Sequence, residues 1–331
     1  ECLAIKPDLV FLWDEAWFAF ARFHPTYRHR TAMATAAMLK AKFKDPAYIK
    51  QYAAFTEKFT EADWNDEEKV LNTRLMPNPE LARVRVYATH STHKTLTSLR
   101  QGSMIHVWDQ DFKDKTEEAF HEAYMTHTST SPNYQILASL DVGRRQVELE
   151  GYELVQRQID LAMTLRERVA SHPLLRKYFS FLKVADMIPE EYRSSGVEAY
   201  FCAEKGWADM ESAWIHDEFA LDPSRLTLVI GATGIDGDTF KNAYLMNKYG
   251  IQINKTSRNS VLFMTNIGTT RSSVAYLIEV LVKIAQEIDE RVEDMSHVEK
   301  RIHDKRVKSL TEDLPPLPDF SRFHPAFQHS T

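Results

Sequence analysis

Cysteine is almost missing from this chain: Cys2 and Cys202 are the only two among 331 residues. Disulfides therefore do not frame the fold, and a reducing, cytoplasmic setting is expected. Long hydrophobic runs are absent as well. No apolar stretch approaches the roughly 20 residues of a membrane-spanning helix, and no signal-peptide pattern opens the sequence. An excess of basic charge is also lacking. Lys and Arg number 41 against 47 Asp and Glu, a net charge of -6, and no segment is basic enough for a nucleic-acid footprint. An initiator Met is missing, and "IKPDLVFLWDEAW" reads as a strand almost at once, the pattern of a piece of a longer polypeptide. What is present is 44% hydrophobic residues, enough for a large core and for more than one small domain.

The apolar spacing yields an alternation of strands and helices. "DLVFLW" (8–13), bounded by Pro7 and Asp14, has the pattern of a strand buried on both faces. From about Thr31 to Glu68 the spacing of Met38, Phe43, Tyr48, Tyr52, Phe55 and Phe59 predicts two amphipathic helices broken at Asp45-Pro46. "LARVRVYAT" and "GSMIHVWD" read as strands, and the loop "HTSTSP" precedes a helix. Residues 151–170 carry a 3.6-residue apolar stripe. Residues 173–224 suggest two strands. "RLTLVIG", "IQINKT" and "NSVLFMTNIG" are strands, the first two flanking a helix that Gly250 stops. A long helix runs from Val274 to Glu293, the charge run after it is a solvated helix face, and "LPPLPDFSRFHP" is a Pro-rich tail. Strands alternating with helices imply an α/β layer, and the β-α-β-β-α ending from Arg225 implies a smaller α+β unit. The division falls in or just after the helix at 151–170.

The stretch "ATHSTHKTLTSLRQGSMIHV" (88–107) places one ammonium, Lys94, between small hydroxyls, imidazoles and an apolar segment. A lysine at a strand end in partly dehydrated surroundings can offer a neutral amine to a carbonyl. Pyridoxal phosphate enzymes hold their cofactor as a Schiff base on such a lysine and need an acid beside the pyridine nitrogen. Asp14, just past a strand, is of the right type, since ligands of open α/β sheets lie beyond the carboxyl ends of strands. The plainer readings are a solvated loop lysine at Lys94 and a helix N-cap at Asp14. His90 and His93, three apart, lack the further ligands a metal site needs. His106 reads as a satisfied core histidine, and "GATGIDGD" fits neither a P-loop nor an EF-hand.

"DEAW" (14–17) with "ARFHPTY", then "STHK" (91–94), "GSMIHV" (102–107), "AYMTHTSTSP" (123–132), "LDPSRLTLV" (221–229) and "YGIQINKT" (249–256) resemble, in order, the bacterial ornithine/lysine/arginine decarboxylases. Each motif alone is weak, and the ordered series covers most of 1–290. The resemblance implies an α/β chain of the aspartate-aminotransferase-like fold (fold type I). Residues 1–165 would be the second half of the pyridoxal-phosphate-binding major domain. A small α+β domain would occupy 166–300, and a Pro-rich tail or linker 301–331.

It implies decarboxylation of a basic amino acid to the amine and CO2. Lys94 would carry the Schiff base, Asp14 would pair with the pyridinium, and Ala16 and Trp17 would pack beside the cofactor. Ser91 and His93 would sit at the phosphate and substrate side. Ser129 would reach the phosphate of a neighbouring subunit, giving a homodimer or larger oligomer with shared sites. Asn254 stands where lysine- and ornithine-specific members carry a glutamate, so lysine is not the expected preference. The family's first phosphate-binding loop and ring-stacking histidine would precede Glu1, and the helical segment between Met33 and Val84 is a long insertion. Another lyase or aminotransferase of the same fold shares the lysine and aspartate, and a non-catalytic homologue is the alternative from a different class.

Overall fold

The computed structural model describes residues 1–253 and 255–312. Three strands form the first sheet in the order β1-β2-β3: β1 (Val10–Asp14) runs parallel to β2 (Arg85–His90), and β3 (Met104–Asp109) is antiparallel to β2. A crossover of about seventy residues joins the parallel pair, as parallel strands require. Its helices, Ala32–Lys42 and Pro46–Lys58, are the two expected from spacing. Pro46 opens the second, where its missing N–H costs nothing, and the Asp45 carboxylate accepts the Ala47 N–H at 2.9 Å. Ala32, Ala36, Phe43 and Tyr48 cover Val84, Val86 and Ala88 on one face of the sheet.

β1 departs from the expectation of burial on both faces. Leu12 is 75% exposed and Trp13 48%. The strand pairs on one side only, with β2, and the Leu12 face has no covering layer among the described residues.

A single helix, Tyr134–Ser171, then runs through 38 residues. Gly143 and Gly151 do not interrupt it; they let neighbours approach. A Cβ at Gly143 would lie 1.8 Å from the Thr97 carbonyl oxygen, and one at Gly151 2.9 Å from the Phe23 Cβ. The division expected at 165/166 falls inside this helix.

The second sheet has the order β4-β7-β9-β8, all antiparallel: β4 (Ser180–Phe181), β7 (Arg225–Val229), β8 (Lys255–Thr256) and β9 (Ser260–Met264). Between β4 and β7 lies a hairpin, β5 (Phe201–Cys202) with β6 (Gly206–Trp207). Leu226, Leu228, Val261 and Phe263 pack against Leu165 of the long helix and against Leu281, Ile284 and Ile288 of the helix Arg271–Glu293. Full burial of such a side chain is worth roughly 1.5–3 kcal/mol, so this cluster is the main core of the second half. The helix between β7 and β8 ends at Gly250, whose φ of 65° is the left-handed conformation glycine accepts without strain.

The helix face expected in the charge run continues as the helix His297–Thr311, which takes in the first residues of the segment 301–331 expected to be a tail or linker. Ser296 and Glu299 form a capping box that starts the helix His297–Thr311. The Asn259 amide holds its end through the Leu310 carbonyl at 2.9 Å. The Pro-rich segment 313–331, including the second "RFHP", and Asn254 lie outside the described residues.

Candidate active site at the ends of two parallel strands

Parallel pairing brings the carboxyl ends of β1 and β2 side by side, with Asp14 opposite Thr89. Asp14 ends β1 and is exposed. Its Oδ1 accepts the Ala16 N–H at 3.0 Å, the local turn an aspartate favours, and this leaves Oδ2 unengaged among the described residues. Beyond β2, Ser91 leads into one helical turn, Thr92–Thr95, which carries His93 and Lys94.

Lys94 makes no ion pair with any carboxylate of the described residues; its Nζ sits 5.9 Å from the centroid of the Trp17 indole. Lys255 Nζ and the Arg225 guanidinium stand at 5.4 Å from the same ring. Arg225 also donates to the Trp17 carbonyl oxygen and to Ser224 Oγ, so β7 fixes the segment after β1. Burial lowers the Arg225 pKa, partly opposed by Asp222.

His93 is held by the turn that closes this segment. Its ring Nδ1 is 3.0 Å from the Gly102 carbonyl oxygen, which only accepts, so Nδ1 carries the proton and Nε2 is free to accept. The loop is anchored to the long helix as well: Leu99 N–H donates to Ser139 Oγ at 2.9 Å, and Thr97 Oγ1 to Gln146 Oε1 at 2.8 Å.

Beneath lies a second polar cluster. Glu15, 6% exposed, accepts the Ala32 N–H at 2.6 Å with Oε1 and meets His90 Nε2 at 2.9 Å with Oε2. The His90 and His106 rings are 4.4 Å apart. Burial, then the neighbouring His90, lowers the His106 pKa. With the Thr92 hydroxyl, buried and without a partner, these side chains border a cavity of about 320 Å³.

Six of the residues singled out from sequence, Asp14, Ala16, Trp17, Ser91, His93 and Lys94, thus share one end of the first sheet. Ser129 does not join them. It lies in the exposed turn before the long helix, its Oγ bonded within the turn to Ser131. Glu15, His90, Arg225 and Lys255 complete the surroundings and were not assigned roles from sequence. Three of them sit inside the quoted motifs "DEAW", "LDPSRLTLV" and "YGIQINKT". No group of three or more His, Cys, Asp or Glu side chains among the described residues could hold a metal ion, and none of the described helices is long and apolar enough to cross a membrane.

The family described as Orn/Lys/Arg decarboxylase, major domain, matches residues 72–273, from before β2 through β9. The lysine decarboxylase LdcA of Pseudomonas aeruginosa is 28% identical over 291 residues, covering 83% of this chain and 32% of that protein. The inducible lysine decarboxylase of Escherichia coli K12 is 29% identical over 224 residues, 63% of this chain and 30% of that one. Among solved structures, the Francisella novicida lysine decarboxylase LdcF superposes with a TM-score of 0.52 at 26% identity, covering 90% of this chain and 35% of its own. The chain spans about a third of the length of these relatives.

Proposed function

Because this chain belongs to the Orn/Lys/Arg decarboxylase family over its major-domain match, we propose that it is the lysine-bearing part of a pyridoxal-phosphate-dependent decarboxylase of a basic amino acid. The observation that carries the reading is the meeting of Asp14, Trp17, Ser91 and Lys94 at the carboxyl ends of β1 and β2. The donor set fits the cofactor: a carboxylate with one oxygen unengaged, an amine with no carboxylate partner, an indole face and a hydroxyl. Asp14, Ala16, Trp17, Ser91, His93 and Lys94 would hold it. Bound there, pyridoxal phosphate supplies the electron sink for the charge left when CO2 departs.

The chain's own groups have distinct tasks. Asp14, with Oδ2 unengaged, would favour the protonated form of a bound pyridine nitrogen by opposite charge. Lys94 Nζ would hold the cofactor and could carry a proton. His93 Nε2, freed by the Nδ1–H bond to Gly102, accepts or returns a proton on the substrate side. The Trp17 indole, steadied by Arg225, limits water around the amine.

Residues 1–165 and 166–300 are proposed as the major-domain portion and the small α+β unit, and the protein as cytoplasmic. Ser129 is proposed to serve a second subunit. Within five residues of it in sequence, Tyr124, Met125 and Tyr134 are 51%, 52% and 76% exposed, apolar groups that another copy of this chain would cover.

The tests are borohydride reduction and peptide mapping of one portion of the full-length polypeptide loaded with pyridoxal phosphate, and CO2 release from lysine, ornithine and arginine by an unreduced portion. The adduct is expected on Lys94, with CO2 released from at least one of the three. An adduct on another lysine, or a keto acid in place of CO2, overturns the reading. For the shared site, a Lys94→Ala subunit mixed with a Ser129→Asp subunit should recover activity in the heterodimer; no recovery overturns it.

A further inference from the structure

The first half of the long helix carries apolar residues on its solvent side. Gly143, Val147 and Gly151 lie on the buried side. At about 100° per residue, Tyr134, Leu149 and Tyr152 point away from them. Together with Leu137 and Val142 they are between 49% and 76% exposed. A helix face that meets only water is polar, and a row of exposed apolar side chains marks a surface that meets another protein.

The order of these residues selects the partner. Read outward from Gly143, the two directions of the chain match. Asp141 and Arg145 stand two positions away, Leu137 and Leu149 six, and Tyr134 and Tyr152 nine. Tyr134 and Tyr152 are separated by about five whole turns, so they share one direction about 27 Å apart. A two-fold axis perpendicular to the helix, on the side opposite Gly143, then brings Tyr134 of one copy to Tyr152 of the other and Leu137 to Leu149. It brings the Asp141 carboxylate to the Arg145 guanidinium. Each contact is made twice, as an isologous interface requires. A parallel pairing would set Asp141 on Asp141 and Arg145 on Arg145, and like charges across a seam are repulsive. Both charges are exposed and held along the helix by surface ion pairs, Asp141 with Arg144 at 3.0 Å and Arg145 with Glu148 at 2.9 Å. Such pairs are weak in solvent and leave both groups able to turn to a new partner.

We propose that residues 134–152 form a self-recognising surface, on which a second copy of this chain lays the same helix antiparallel about an axis opposite Gly143. The tyrosines and leucines supply the attraction, and Asp141 with Arg145 sets direction and register. The pairing gives a geometry to the second copy invoked above for Ser129, but it rests on no role for Ser129, Lys94 or the cofactor.

The test uses the full-length polypeptide without pyridoxal phosphate, carrying Leu137→Cys and Leu149→Cys with Cys2 and Cys202 replaced by Ser. It is treated with a short bismaleimide, and the cross-linked species is mapped by mass spectrometry. Along one helix the two positions are about 18 Å apart, beyond the reach of such a linker, so a peptide joining 137 to 149 comes from two chains. That link is expected, in a species of twice the chain's mass. Asp141→Arg, which puts a second guanidinium across from Arg145, should lower its yield at least about 5-fold, and adding Arg145→Asp should restore it to within about 2-fold. A helix weakened in itself would not be rescued by the second reversal. A 137–137 link in place of 137–149, a link to another segment of the polypeptide, no link between chains, or a yield indifferent to Asp141→Arg overturns the proposal. Loss of the 137–149 link with the borohydride adduct still on Lys94 would sink the pairing and leave the decarboxylase reading standing, so the two failures are told apart.

Discussion

Glu15 Oε2 lies 2.9 Å from His90 Nε2, joining the residue after β1 to the last residue of β2 beneath Lys94. Both side chains are shielded, at 6% and 14% exposure. Removing one partner strands the other in a buried setting. His90→Ala should therefore cost about 2–4 kcal/mol of stability. Urea unfolding of His90→Ala, Glu15→Ala and the double variant should show a coupling of about 1 kcal/mol or more. Additivity within ~0.5 kcal/mol would mean the pair is not a unit.

His106 and His303 are each held below the ordinary histidine value by burial first. The unfolded chain then binds more protons than the folded one between the folded values and about 6.5. The slope of stability with pH is positive in that window. Stability fully present above about 6.5 is lost as pH falls through the folded values. Unfolding free energies measured from pH 7.5 to 5 should show this decline, and His106→Asn should flatten part of it. An identical profile in the variant would remove His106 as a cause.

Gly143→Ala sets two effects against each other. Helix propensity favours alanine by about 1 kcal/mol in a helix interior. The added Cβ, however, would meet the Thr97 carbonyl oxygen at 1.8 Å, and backbone cannot swing aside as a side chain can. The clash should win, with a net loss of about 1–3 kcal/mol. Thermal unfolding checks this, and a gain in stability would show that the Thr97 loop yields freely.

Asp14→Asn isolates charge from geometry. The amide oxygen can still accept the Ala16 N–H, so stability should change by less than about 0.5 kcal/mol. Under the proposed function, turnover with saturating cofactor should fall on the order of 100-fold, because the charge facing the ring nitrogen is gone. Single-turnover decarboxylation gives the answer; an unaltered rate refutes the pyridinium role.

Much of this was legible from local chemistry. Asp45-Pro46 marks its helix start by capping, and Gly250 its helix stop by left-handed backbone. The strands around Lys94 follow from apolar alternation. Other features depend on distant partners. The exposure of β1 follows from what covers the sheet, which no period in "DLVFLW" encodes. The continuity of the helix through Gly143 and Gly151 depends on Thr97 and Phe23 fitting against them. Arg225 and Lys255 reach Trp17 from 208 and 238 positions away, so only tertiary pairing reveals them. Glu15 and His90 pair across 75 residues for the same reason.

The unbroken helix Tyr134–Ser171 has a consequence for insertions. It is about 57 Å long, and it keys into Thr97 at Gly143, into Phe23 at Gly151, and into the Leu182 and Arg225 carbonyls at Arg166. Each residue added between 151 and 166 turns everything beyond it by about 100°. A single inserted residue would carry Arg166 off its carbonyls while Gly151 stayed seated on Phe23. Three or four added residues nearly restore the angle but displace Arg166 along the axis by about 5 Å. The rotational phase between the two ends is fixed by residue count, so this stretch tolerates substitution of its exposed side chains far better than any change of length.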